Sequence, residues 1–272
     1  ARAHFFLSHQ FSFLSRPRDQ IAEMEKAREI YETLAAEDPR DPNARRSVAL
    51  THKYIASAHF SLGESEIALE GYRKSEAIER ELVAADPTNA LYERDLSHSY
   101  GGLGEALFAL GRVAAGADSY RKAIAIRKAL SDADPKNAEI RMALARGYYQ
   151  LGRQHAHFGD PRAALESIGQ AIPIYRALVA SDPGNANKIA SLACCYTAMG
   201  FAHERIAKEV PQGSGATVSE WRRAQASYQK ARETFGELEG QGKRAPEGQD
   251  LEEVRSGLER VSAALDPKAG RR

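Results

Sequence analysis

Histidine offers the most chemistry in this 272-residue chain, which carries eight of them. An imidazole can ligate zinc or move protons near neutral pH. His59, His155 and His203 share one phase of a 48-residue period. A zinc centre needs three or four converging ligands, and no HExxH or Cys-x-x-Cys spacing supplies them. Helices stacked about 8–10 Å apart hold such residues too far from one another to chelate. The expected role is a packed or edge histidine, with no metal. Cys194 and Cys195 are the only cysteines, and adjacent cysteines form neither a disulfide framework nor a metal spacing. Glu252-Glu253 reads as a pair of solvated helix charges. "GLG" at 102–104 is not a phosphate loop: no strand precedes it, and Gly104 returns as Gly152 and Gly200. The glycines point to close helix–helix approach. No nucleophile elbow occurs, so no catalytic residue and no cofactor is expected.

Lysine and arginine number 38 against 37 acidic residues, for a net charge of +1. A basic excess normally supplies nucleic-acid affinity, so a nucleic-acid partner is not expected. No apolar run approaches the ~18–20 residues that span a bilayer, and direct membrane insertion is not expected either. The opening "ARAHFFLSHQ" has neither a Met nor the apolar region of a secretory signal, and reads as the edge of a longer protein. The compartment is open: cytoplasmic by default, extracytoplasmic if the chain belongs to an anchored protein.

The elements that position these residues repeat. "ADPTNA" at 85–90 returns as "ADPKNA" at 133–138 and "SDPGNA" at 181–186, with "EDPRDP" at 37–42. Proline disfavours helical geometry in the residue before it, so each Asp-Pro ends a helix. Asn89, Asn137 and Asn185, or Asp41 ahead of Pro42, then cap the next helix. Between the turns the apolar spacing is helical: Leu96, Tyr100, Leu103, Leu107 and Leu110, then Tyr120, Ala123, Ile126 and Leu130. Gly111 separates the two stripes, so each unit is a hairpin of helices A and B. The spacing predicts hairpins over about 1–37, 43–85, 89–133, 137–181 and 186–240, and a capping helix over 250–265. All lie in one repeat domain, 1–265, followed by a flexible tail, 266–272. The fifth hairpin is expected to hold a polar loop, "KEVPQGSGATVSE". Pro173 should kink its helix and could act as a hinge. Phe5, Phe6, Phe11 and Phe13 leave the first hairpin apolar, and a homodimer through that end is expected.

Tyr100, Leu103-Gly104, Leu107, Gly111, Gly116, Tyr120, Ala123 and Pro135 follow the pattern of the tetratricopeptide repeat, which the columns resemble over about residues 1–240. That family's period is about 34 residues, so each unit here is longer by about two heptads, one per helix. The resemblance implies an all-α, right-handed superhelical solenoid of antiparallel hairpins. It implies a non-enzymatic scaffold whose A helices line a concave groove for a partner protein or peptide. Carried onto this register, the groove positions are Lys53, Ser57 and Phe60; His98, Gly101, Glu105 and Phe108; Arg146, Tyr149, Arg153 and His157; and Thr197, Phe201, Glu204 and Arg205. The family's clamp for a chaperone tail is half matched. Lys53 and Arg146 fit it, while Ser57 and Gly102 stand where asparagines belong. The "DPxNA" turns and the "WRRAQASYQKA" helix also look similar to the C-terminal tails of some bacterial Ser/Thr kinase-like regulators. That implies, as an alternative, a regulatory or self-associating tail of a signalling protein.

Overall fold

A computed structural model describes residues 1–13, 16–211, 213–243 and 251–266, and their side chains except those of 9–13. Among the described residues all regular structure is helical. The elements are α1 (Arg2–Phe13), α2 (Pro17–Glu37), α3 (Pro42–Ser61), α4 (Ser65–Ala85), α5 (Ala90–Ala109), α6 (Val113–Ala133), α7 (Ala138–Phe158), α8 (Pro161–Ser181), α9 (Ala186–Glu209), α10 (Gly215–Gly240) and α11 (Leu251–Leu265). They form two compact units, Ala1–Leu130 and Ser131–Arg272. No helix among the described residues is long and apolar enough to cross a membrane.

The repeated turn works through both its Asp and its Asn. In three copies the cap Asn side chain donates back to the Asp: Asn89 to Asp86 at 3.3 Å, Asn137 to Asp134 at 3.1 Å and Asn185 to Asp182 at 3.0 Å. The amide oxygen of the same Asn accepts from the first turn of the next helix, from Leu91, from Glu139 and Ile140, and from Lys188. One side chain therefore closes the turn and caps the helix. Asp41 caps α3 through the amide of Asn43, with Pro42 behind it.

Within a hairpin, glycine sets how closely the helices approach. A Cβ on Gly104 would fall 2.6 Å from the Tyr120 ring, on Gly152 2.5 Å from Ile168, and on Gly200 2.9 Å from Tyr228. These contacts fit the close approach read from the 102–104 stretch. Between successive hairpins, Gly102 does the same against Tyr72 and Gly257 against Tyr228. Tyr72 and Tyr228 are equivalent once the 12 extra residues of the fifth hairpin are allowed for. So α11 takes the place of a sixth helix A, burying Val254, Gly257 and Val261.

One local expectation changes. The polar loop at 208–220 is mostly helix. Ser214 accepts from the Thr217 amide at 3.2 Å, and Thr217 Oγ1 donates to the Pro211 carbonyl, so α10 starts at Gly215 while α9 runs on to Glu209. Helix α8 continues through Pro173, whose side of the helix faces solvent. At the first hairpin Phe5 is half-buried, edge-on to Tyr54 with centroids 5.3 Å apart, and Phe6 is 65% exposed. The side chains of Phe11 and Phe13, and the tail from 267, lie outside the described residues.

Candidate functional site

In Ser131–Arg272 the A helices adjoin one another, α7 touching α9 and α9 touching α11. Arg146, Tyr149, Arg153 and His157 step by three, four and four along α7, one helical stripe. Arg146, Arg153 and His157 are exposed, and Tyr149 is half-buried. Leu144, Ala145, Leu151, Gly152 and Ala156 are buried on the remaining faces of α7. The His157 ring stacks on half-buried Phe201 of α9, centroids 4.6 Å apart and planes 27° apart. These five side chains make one aromatic and cationic surface across two helices.

Electrostatics tune this surface. Burial pushes the Tyr149 phenol well up, helped by the Cys194 and Cys195 thiols and Glu253, with Arg153 opposing. The phenol stays a neutral hydrogen-bonding group. Desolvation against its neighbours holds the His157 imidazole below its ordinary value, Glu253 opposes this, and Arg153 and Arg205 reinforce it.

Arg205 does not belong to that surface. Its Nη1 donates to the carbonyls of Ala156 at 2.8 Å and Gly159 at 3.1 Å, so it caps the C-terminus of α7. Glu204 is buried. It accepts from the Tyr228 hydroxyl at 2.7 Å and from Arg260 at 3.0 and 2.9 Å, which ties α11 to α9 and α10. Thr197 is buried and donates to the Ala193 carbonyl.

In Ala1–Leu130 the predicted positions scatter. His98 is exposed, while Phe60 and Glu105 are half-buried. Desolvation, then the charges of Arg127 and Lys53, lower the His98 pKa. Phe108 is corrected to the core. It is 1% exposed and lies against Gly116, where a Cβ would come within 2.6 Å of its ring. Lys53 is corrected as well. It is buried, its Nζ 2.6 Å from Glu79 Oε1 and donating to the Asp95 carbonyl at 2.8 Å. Asp95 in turn pairs with Arg46 at 2.6 Å. An ammonium used this way is withdrawn from any clamp for a partner's carboxylate.

Glu79 was not anticipated, nor was Arg127, which is buried and donates to the Ser97 carbonyl at 3.2 Å. A signal existed. Glu79, Arg127 and Tyr175 occupy one 48-residue column on the buried stripe of helix B, so two charges stand where the fourth hairpin has a buried ring.

The histidines do not converge. His59 bonds to Glu64, His203 bonds to Glu220 at 2.7 Å, and His155 is buried. Among the described residues no group of three or more His, Cys, Asp or Glu could hold a metal ion.

No protein-family model and no curated protein matches the sequence. Solved structures do. BtubC (BKLC) from P. vanneervenii is similar over 91% of this chain and 90% of its own, at 16% identity and a TM-score of 0.52. TTC0263, a thermophilic TPR protein in Thermus thermophilus, is 21% identical over 97% of this chain and 98% of its own, with a TM-score of 0.45. A Podosopora anserina putative kinesin light chain with nearly identical TPR-like repeats is 17% identical over 97% and 93%, also at 0.45. The described residues form an all-α array of antiparallel hairpins in units of 48 residues, a fold similar to that of BtubC and of the kind that the tetratricopeptide-repeat resemblance implied.

Proposed function

We propose that this protein is a non-enzymatic scaffold that holds an extended segment of a partner protein along the A-helix face of α7 and α9. The observation that carries the reading is the stripe of exposed Arg146, Arg153 and His157 around half-buried Tyr149, continued by Phe201 through the stacked ring pair. Guanidinium forks recognise carboxylates in plane, and half-buried rings offer apolar area with little entropy to lose. The reading therefore favours a segment that mixes acidic with aromatic or aliphatic side chains. The test is affinity capture from source lysate with the parent chain and with Arg146→Glu/Arg153→Glu. A synthetic segment of the captured protein is then titrated against both. At least tenfold weaker binding to the variant supports the reading, and equal binding removes it.

A further inference from the structure

Helix α11 stands in register with the two helices that carry the candidate surface. Its Gly257 lies against the Tyr228 ring as Gly102 lies against Tyr72, and 48-residue steps from Gly102 lead to Gln150 and Ala198. Glu253 precedes Gly257 by four residues, as Arg146 precedes Gln150 on α7 and Cys194 precedes Ala198 on α9. Arg260 likewise matches Arg153 and Phe201. Neighbouring helices therefore carry unlike charge on one face: Arg146 and Arg153 on α7, half-buried Cys194 and Phe201 on α9, and Glu253 on α11. The other charges at these phases are used inside the fold, since Arg260 holds Glu204 and Arg205 caps α7. Arg146, Arg153 and Glu253 are exposed, and among the described residues none of the three enters an ion pair. Glu253 nevertheless acts across α9. Its charge adds to the burial that raises the Tyr149 pKa and opposes the desolvation that lowers that of His157.

We propose, resting on the reading of the α7–α9 face as the partner surface, that Glu253 sets its specificity: it selects a partner segment that carries a lysine or arginine as well as the acidic residue held from α7. A purely acidic segment would meet Arg146 and Arg153 favourably and then carry like charge toward Glu253. Such juxtaposition is how an interface rejects wrong partners. A segment of both signs satisfies both sides and lays an apolar side chain between them over Phe201. Adjacent packed helices stand about 8–10 Å apart and an extended chain advances about 3.3 Å per residue, so the basic residue falls within about six residues of the acidic one. An exposed carboxylate adds little raw affinity. Its effect is on which segment binds.

The probe is a phage-displayed library of random 12-residue peptides selected on the full chain. Selected peptides are then synthesised with a fluorescein label and titrated by anisotropy. The expected result is joint enrichment of Asp or Glu with Lys or Arg in the same peptide. Binding should be at least fivefold weaker to Glu253→Lys and should recover on that variant when the basic residue of the peptide is changed to Glu. Glu259→Lys makes the same charge change on another exposed face of α11 and should bind like the parent. Both positions meet solvent, so the variants should keep their fold, which circular dichroism verifies. Acidic–apolar peptides without a basic residue, equal binding to Glu253→Lys, or an equal loss in Glu259→Lys would overturn the proposal, and if Arg146→Glu/Arg153→Glu still abolished binding the α7–α9 reading would stand. No enrichment on the parent, or undiminished binding to Arg146→Glu/Arg153→Glu, would remove both.

Discussion

Replacing Lys53 with methionine removes the cation from a buried cluster and keeps most of the side-chain volume. The Nζ–Oε1 distance of 2.6 Å corresponds to a gross attraction of about 6 kcal/mol at an effective dielectric of about 20. Most of it offsets the desolvation of both groups, so the pair contributes little net stability. Removing one partner is different, because Glu79 is 1% exposed and remains behind without its cation. The expected cost is about 3–5 kcal/mol, read as a lower urea midpoint. Burial already raises the Glu79 pKa, with Lys53 and then Ser99 opposing, so in the variant burial is opposed by the Ser99 hydroxyl alone. A carboxyl whose folded pKa lies above its unfolded value binds more protons when folded. Its stabilising effect is full below the unfolded pKa and fades as pH rises through the folded one. The deficit of Lys53→Met should therefore be smaller at pH 5 than at pH 8. The double variant Lys53→Met/Glu79→Leu should return to within about 1 kcal/mol of the parent or exceed it. A cost under about 1 kcal/mol for Lys53→Met, with no pH dependence, would refute the burial argument and restore Lys53 to a solvated face.

Two glycines make a matched comparison. Gly102→Ala sets a Cβ 2.3 Å from the Tyr72 ring and should cost roughly 1–3 kcal/mol. Gly169→Ala meets nothing within 4 Å on an exposed helix face and should gain roughly 0.5–1 kcal/mol. Urea midpoints of the two variants that moved in the same direction would contradict the packing described. Arg260→Ala should cost roughly 1.5–3 kcal/mol locally, since Glu204 keeps Tyr228 and the more distant Lys208 but loses its charge-assisted hydrogen bonds. Hydrogen exchange should then speed up across α11 and leave α7 unchanged, and unchanged protection of α11 would show that Arg260 does not anchor it.

The turns and hairpins were legible in the sequence because their determinants are local. An Asp-Pro, an Asn cap and a 3.6-residue stripe all act within one turn or one helix, and repetition makes each copy a check on the others. The placement of the candidate surface was only partly legible. Arg146, Arg153 and His157 stand on solvent as the register implied. Lys53 does not, because its burial depends on Glu79, 26 residues away on the facing helix. Phe108 turned inward because Gly116 of the next helix leaves room for its ring. Arg205 was taken by carbonyls that α7 leaves open where it ends. Each of these outcomes is decided by a pairing across helices, and column phase in a single helix carries no record of it. Ser214 is the exception: its cap is local, and the polar-loop reading of 208–220 passed over it.

The most direct test places a photo-crosslinking phenylalanine analogue at Phe201, and separately at Gln170 on exposed α8, in chains exposed to source lysate. The crosslinked peptides are then identified by mass spectrometry. A scaffold working through α7 and α9 predicts one partner segment joined at Phe201, absent at Gln170, and lost when Arg146→Glu/Arg153→Glu is added. The same crosslinks from both positions, or crosslinks at Phe201 that survive the two glutamates, would contradict the account.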